Sequence, residues 1–202
     1  MNHLYPINKH ETAQAGRVLA TAFENDPVFS AIFSHASSEH RIAYFTSYVV
    51  YCHKYGQVCA PSAQLEGIAA WVTGQYAEMN HRRMILSGAI WPELKVGRKN
   101  IRKCATVFKS VDQDRKEHMR SRDNIYLQLV GVTPQYQGQG FGGKLLKAVI
   151  MESERTGLPI YLETETDENV HLYQHFGFTV LKAVTLPLID LPMWEMIREP
   201  AG

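Results

Sequence analysis

Gly131–Lys144 reads GVTPQYQGQGFGGK, and Gly138, Gly140 and Gly143 within it spell G-x-G-x-x-G. A turn this rich in glycine lets backbone N–H groups converge and leaves no Cβ to fend off an anion. Before it, Ile125–Val132 (IYLQLVGV) reads as a strand. After it, a helix starts at Gly140 or Phe141 and runs to Arg155, with Leu145, Leu146, Val149 and Ile150 on one face. Gly157 and then Pro159 close that helix. Its N-terminal end adds a partial positive charge, so a pyrophosphate is a physically sensible guest. The plainer alternative is a turn that only permits close helix–strand packing.

The guest need not be a dinucleotide. A nucleotide-binding oxidoreductase would use Gly138, Gly140 and Gly143, and Glu163 lies where an acidic ribose partner is expected. Thr133–Gln137, however, intervene between Val132 and the first glycine, and too little chain follows for a full doubly wound sheet. A P-loop needs Gly-Lys-Ser/Thr, and here Leu145 follows Lys144.

Working outward, Ile160–Glu163 reads as a strand and Asn169–Phe176 as a short helix stopped by Gly177. Phe178–Val184 and Met193–Arg198 supply two more strands. Upstream, Leu4–Ile7 is a short strand interrupted by Pro6, and Thr12–Phe23 is a helix ended by Asn25-Asp26-Pro27. Ser37-Ser38-Glu39 caps a helix over about Glu39–Lys54 that stops at Gly56. Gln57–Ala60 and Gly67–Thr73 are strands. Residues 78–122 are helical, broken at Trp91-Pro92, with a weak stripe of Ile101, Ala105, Phe108 and Val111 or Asp112. Strand, helix, strand, helix, strand in the last third calls for a sheet with at least one parallel pair.

The 202 residues suit one domain, and 45% hydrophobic with 20% charged residues is ordinary soluble globular composition. Lysine and arginine number 21 against 20 aspartate and glutamate, too balanced to argue for a nucleic-acid or anionic-membrane partner. Arg98, Lys99, Arg102, Lys103 and Lys109 form a basic run, but Asp112, Asp114 and Glu117 follow closely, as on a solvated helix face. Cys52, Cys59 and Cys104 carry no disulfide or zinc pattern. MNHLYPINKHETAQAG lacks the regions of a signal peptide, and Tyr48–Cys52 is too short to span a bilayer. A cytoplasmic protein is expected. His171 and His175 are spaced i, i+4 but lack H-E-x-x-H, so no metal is expected.

Gln137, Gly140 and Gly142 make Q-x-x-G-x-G after a strand ending V-x-V-x-P (Val130, Val132, Pro134). This resembles the acetyl-CoA loop of the GNAT acetyltransferase superfamily. Asn169–Phe178 (NVHLYQHFGF) is similar to that family's N-x-x-x-Y-x-x-x-G-F segment. A narrower resemblance, to the puromycin N-acetyltransferase branch, rests on Leu162-Glu163-Thr164 followed by Asn169 and Tyr173, on Ala22-Phe23 with Asp26-Pro27, and on Trp194. In one departure, Gln137 and Gln139 stand where many relatives carry Arg or Lys. Backbone donors are left to dominate.

The resemblance implies an α/β (α+β) fold: a GNAT-like mixed, mostly antiparallel twisted sheet flanked by helices. One domain would span residues 1–202, with 78–122 a helical insertion between the third and fourth strands, roofing the acceptor site. The implied activity is acetyl-CoA-dependent N-acetylation of a small-molecule primary amine by direct attack in a ternary complex, without metal. A non-catalytic acyl-CoA sensor is the other class to weigh, and a homodimer is allowed.

Val130 and Val132 would present backbone groups to the pantetheine arm. Gly131 between them marks a bulge or close approach that splays the strand from the next. Gln137, Gly138, Gln139, Gly140, Phe141, Gly142 and Gly143 would wrap the pyrophosphate. Asn169 and Tyr173, four apart on one helix face, would hold the arm and protonate the leaving thiolate. A phenol titrating near pH 10 carries the proton required. Glu163 at a strand end is the candidate base or a plain ion-paired carboxylate. Asp26 is a second candidate base, although its place before Pro27 suits an Asx-type turn.

Overall fold

A computed structural model describes residues 4–201. Met1–His3, part of the N-terminal stretch read above, and Gly202 lie outside the described residues. Among the described residues seven strands form one sheet: β1 (Tyr5–Pro6), β2 (Gly56–Ala60), β3 (Gly67–Thr73), β4 (Ile125–Val132), β5 (Ile160–Thr164), β6 (Thr179–Leu186) and β7 (Leu191–Arg198). The order is β1-β2-β3-β4-β5-β7-β6, and every neighbouring pair is antiparallel except β4 and β5. The mixed α/β architecture expected from the sequence is thus present.

One face of the sheet is covered by α1 (Thr12–Ala22), α2 (Pro27–Ile32) and α3 (Ser38–Tyr55). Asp26 caps α2 by accepting from the Phe29 amide at 2.8 Å, and Ser37 caps α3. The other face is covered by α8 (Phe141–Thr156) and α9 (Asp167–His175). Two apolar clusters follow from this layering. Ile68, Ala70 and Val72 of β3 point to the α1–α3 side, and Ala69 and Trp71 to the α8 side.

Between β3 and β4 lie α4 (His81–Ser87), α5 (Ile90–Leu94), α6 (Arg98–Val107) and α7 (Lys109–His118). The expected break at Trp91-Pro92 is not there. Pro92 sits in the first turn of α5, where no intrahelical N–H bond is required, and the chain bends instead at Gly88 and Gly97, both at positive φ. The weak stripe also shifts: Ala105 and Asp112 are exposed, and the buried line runs through Cys104, Val107, Val111 and Arg115.

The bulge is displaced as well. The β3–β4 register passes from Ala70↔Leu129 to Trp71↔Leu127, so the extra residue is Gln128 and not Gly131. Its effect is a phase change: Leu127 packs on the α8 side while Leu129, two residues on, packs on the α1–α3 side. Gly131 meets the other expectation for a strand glycine, a close approach. A Cβ there would lie 2.9 Å from Ala22 Cβ and 3.0 Å from a Phe23 ring carbon, so glycine lets the end of α1 press against β4.

Candidate functional site

Strands β4 and β5 are paired only at Ile125↔Ile160 and Tyr126↔Tyr161. Beyond that point they diverge, and the β5-facing edge of β4 loses its neighbour. The Thr133 amide donates to the Glu66 carbonyl at 3.0 Å, which sets the ladder's phase. In an antiparallel pair alternate residues turn their main chain toward the partner. Val130 and Val132 therefore turn theirs away from β3, into the opening.

A groove of about 520 Å³ occupies that opening. Val130, Gly131, Val132, Gln137, Gly138, Gly140, Phe141, Gly142, Asn169 and Tyr173 all line it, as do Asp26 and Glu165. Gly138 and Gly140 have φ of 74° and 82° with nothing within 4 Å of a would-be Cβ, so conformation rather than space requires glycine there. The first-turn amides of α8 have no carbonyl a turn behind them and remain available as donors.

Two members of the expected set stand outside the lining. Gln139 folds back to donate to the Gln135 carbonyl at 3.0 Å, and Gly143 faces Phe176, whose ring would lie 3.3 Å from a Cβ. Gln137 likewise donates to the Val132 carbonyl at 3.0 Å. Both glutamines thus brace the turn itself. Lys144 is tied to the Pro61 carbonyl at 2.7 Å, and no lysine or arginine is among the groove's lining residues. An anionic guest would be met there by backbone donors and the α8 terminus.

A second cavity, of about 140 Å³, lies on the α1–α3 side of the sheet and shares Phe23, Val130, Glu165, Asn169 and Tyr173 with the groove. Glu163 belongs to this cavity, its side chain 10% exposed and its Oε1 buried without a hydrogen-bond partner. Burial pushes its carboxyl up to about 7, with the Arg115 guanidinium 3.9 Å away and the Tyr126 hydroxyl opposing a further rise. Arg115 itself is committed elsewhere, to Asp112 at 2.8 Å and over the Tyr126 ring at 4.5 Å.

Tyr173 sits where groove and cavity meet. Its ring packs edge-on against Phe178 at 5.4 Å, which holds its direction. Burial, and then the Glu165 carboxyl, push its phenol well above the usual range, so it keeps its proton at any working pH. Asn169, on the same face of α9, reaches Glu165 at 3.4 Å. His171 and His175 are exposed on the outer side of that helix.

Sequence reasoning missed Glu165, although the Glu163, Glu165 alternation carried a signal. Glu165 lines both spaces, and burial and the nearby Asp26 push its carboxyl well above the usual range. It also missed Tyr126, Gln128 and Arg115. Arg115 sits among charged residues and looks solvated by pattern, yet it is 6% exposed. From residues 78–122 Phe108, Val111 and Asp112 line the cavity, whereas α4 and α5 pack on α3. The basic run does not line either space; Lys103 bonds the Ala31 carbonyl at 2.7 Å.

The pattern of an Acetyltransferase (GNAT) domain matches residues 93–180. An uncharacterized N-acetyltransferase of Schizosaccharomyces pombe is 29% identical over 96% of this chain and 82% of its own length. Among solved structures, arylalkylamine N-acetyltransferase 2 from Aedes aegypti superposes with a TM-score of 0.69 at 11% identity, covering 98% of this chain and 99% of that one. A histone acetyltransferase HPA2 and related acetyltransferase from Corynebacterium glutamicum gives 0.66 at 19% identity, over 98% and 96%. At such identities the structures speak for the fold.

Proposed function

We propose, taking as premise that this chain is an acetyltransferase built on the GNAT fold, that it moves an acetyl group from acetyl-CoA to the primary amine of a small molecule. One observation carries the reading: the groove with its backbone donors and the cavity with a carboxylate oxygen free of hydrogen bonds meet at a single phenol, Tyr173. Acetyl-CoA, when bound, supplies the reactive acyl carbon and a thiol leaving group.

The chain's own residues do the rest. The turn Gln137–Gly142 holds the diphosphate through main-chain N–H groups, and the exposed edge of β4 at Val130 and Val132 pairs with the amide-bearing arm. Glu163, titrating near neutral pH, takes the proton from the incoming ammonium. Tyr173 gives its proton to the departing sulfur and regains one afterwards. No covalent enzyme intermediate is needed, because the amine attacks directly. Cys52, Cys59 and Cys104 are buried, and burial raises their thiols, so none is a ready nucleophile.

Free, unpaired cysteines also fit a cytoplasmic setting, and among the described residues no helix is long and apolar enough to cross a membrane. Calorimetry with acetyl-CoA, followed by thiol release across a panel of amines, tests the assignment. Cofactor binding with no thiol released for any amine would leave a sensor. Saturation of the groove by an adenine dinucleotide, with no heat from acetyl-CoA, would leave an oxidoreductase.

A further inference from the structure

The acceptor cavity restricts which amines can reach Glu163. Its walls carry Phe23, Phe29, Tyr44, Tyr48, Phe108 and Tyr126, drawn from the α1 end, α2, α3, the α6–α7 junction and β4. These rings brace one another. Phe29 meets Phe23 at 5.3 Å, Tyr44 at 5.7 Å and Phe108 at 6.2 Å, and the Tyr44 hydroxyl donates to Tyr48 at 3.2 Å. At about 140 Å³ the space matches in size a cavity of ~150 Å³ that accommodates one benzene ring, with Gln128, Thr164 and Asn169 adding polar groups to its lining.

Charge adds a count. Three carboxyls line the cavity, Asp112, Glu163 and Glu165. Asp112 is already paired with Arg115, and Glu165 accepts from the Asn169 side-chain amide at 3.4 Å. Of these three, Glu163 alone has a buried oxygen, Oε1, with no hydrogen-bond partner, the Arg115 guanidinium standing 3.9 Å off, which leaves one place for one ammonium. For a second ammonium the lining offers neutral groups such as Gln128 and Thr164 and no uncommitted carboxylate.

Resting on the acetyl-transfer reading above, we propose that the acceptor is a compact primary monoamine carrying a single aromatic ring, or an equal apolar body, on a short arm. Polyamines, peptides and ring-rich drugs of puromycin's size fall outside that description. The ring would fill the aromatic wall while the nitrogen meets Glu163 near the mouth shared with Tyr173.

The test uses the full chain, acetyl-CoA and a thiol-release assay with 2-phenylethylamine, hexylamine, 1,4-diaminobutane, puromycin and a lysine-containing peptide. The expected order places 2-phenylethylamine on the order of 30-fold above 1,4-diaminobutane in kcat/KM, the scale of burying one large apolar group. Preference for the diamine, puromycin or the peptide overturns the acceptor class while leaving acetyl transfer intact. No thiol release with any amine overturns both. The variant Phe108→Ala, checked for folding by circular dichroism, should shift the ratio of 2-(1-naphthyl)ethylamine to 2-phenylethylamine about tenfold toward the larger ring. An unchanged ratio in a folded variant also counts against the proposal, since it would mean the ring does not lie against Phe108.

Discussion

The groove under the glycine turn and the cavity beneath α7 share Tyr173, yet they are made of different material. The groove draws roughly half of its lining from one contiguous stretch, Val130–Gly142, whose glycines leave main chain open to a guest, with the Ala22–Pro27 segment and α9 beside it. The cavity is lined by side chains from α2, α3, α7, β4, β5 and β7. An unvarying diphosphate can be held by backbone donors that any sequence provides once the turn is shaped. A particular acceptor needs particular side chains, and these are free to change without disturbing the turn.

If that division holds, the largest effect should come where the two spaces meet. Tyr173→Phe should lower kcat on the order of a thousandfold, the upper range of general-acid contributions, while calorimetric affinity for acetyl-CoA stays within about threefold. Unchanged turnover would remove the phenol from the acid role. Next, Glu163→Gln should lower kcat roughly a hundredfold. In the parent enzyme, kcat/KM for the amine should fall as pH drops through about 7, because the base must be ionised; the variant should lose that limb. A limb that persists in Glu163→Gln assigns the base elsewhere.

On the groove side the effects are smaller and fall on binding. Gly140→Ala forces an L-residue to a φ of 82°, a strain of about 1–2 kcal/mol, so acetyl-CoA affinity should weaken about tenfold. Gln137→Ala and Gln139→Ala, which remove side chains that donate to the Val132 and Gln135 carbonyls, should each cost about threefold or less. A side-chain loss larger than the glycine effect would contradict a groove built from main chain.

The smallest effect concerns stability on the acceptor side. Glu195 pairs across the strands with Glu163, is fully buried, and has His118 Nε2 at 3.1 Å from its Oε2. Burial and Asp114 push its carboxyl from an ordinary 4.5 to about 7. A folded pKa above the unfolded one favours the fold below about pH 4.5, and that advantage fades as pH rises through about 7. Glu195→Gln should therefore melt a few degrees above the parent at pH 8, with the gap closing by pH 5. A gap independent of pH would mean that ionisation is not what Glu195 contributes.

Much of this was legible before the fold was known. Strands β4 and β5, helix α8 and the Asn169–Tyr173 face were readable because each is local: a strand's alternation, a capped helix, a spacing of four. Trp91-Pro92 misled because proline breaks a helix interior but suits its first turn, and short helices leave little pattern to tell the two apart. A strand glycine marks a bulge or a close approach, and Gly131 marks the approach, whereas the register shifts at Gln128, a residue with no such signal. Gly131 instead answers to α1, a contact between segments more than 100 residues apart.

The amino-acid sequence by itself determined the cofactor-side scaffold: which stretch makes the turn, where its helix begins, and that Asn169 and Tyr173 share a face. Those features depend on residues within a few turns of one another. Tertiary structure alone decided that Arg115 is buried and spent on Asp112, that Glu165 joins the two spaces, and that aromatic rings from three helices, the α6–α7 junction and β4 line one cavity of about 140 Å³. Each depends on desolvation and contact between distant segments, and no local pattern encodes how much water a side chain will lose.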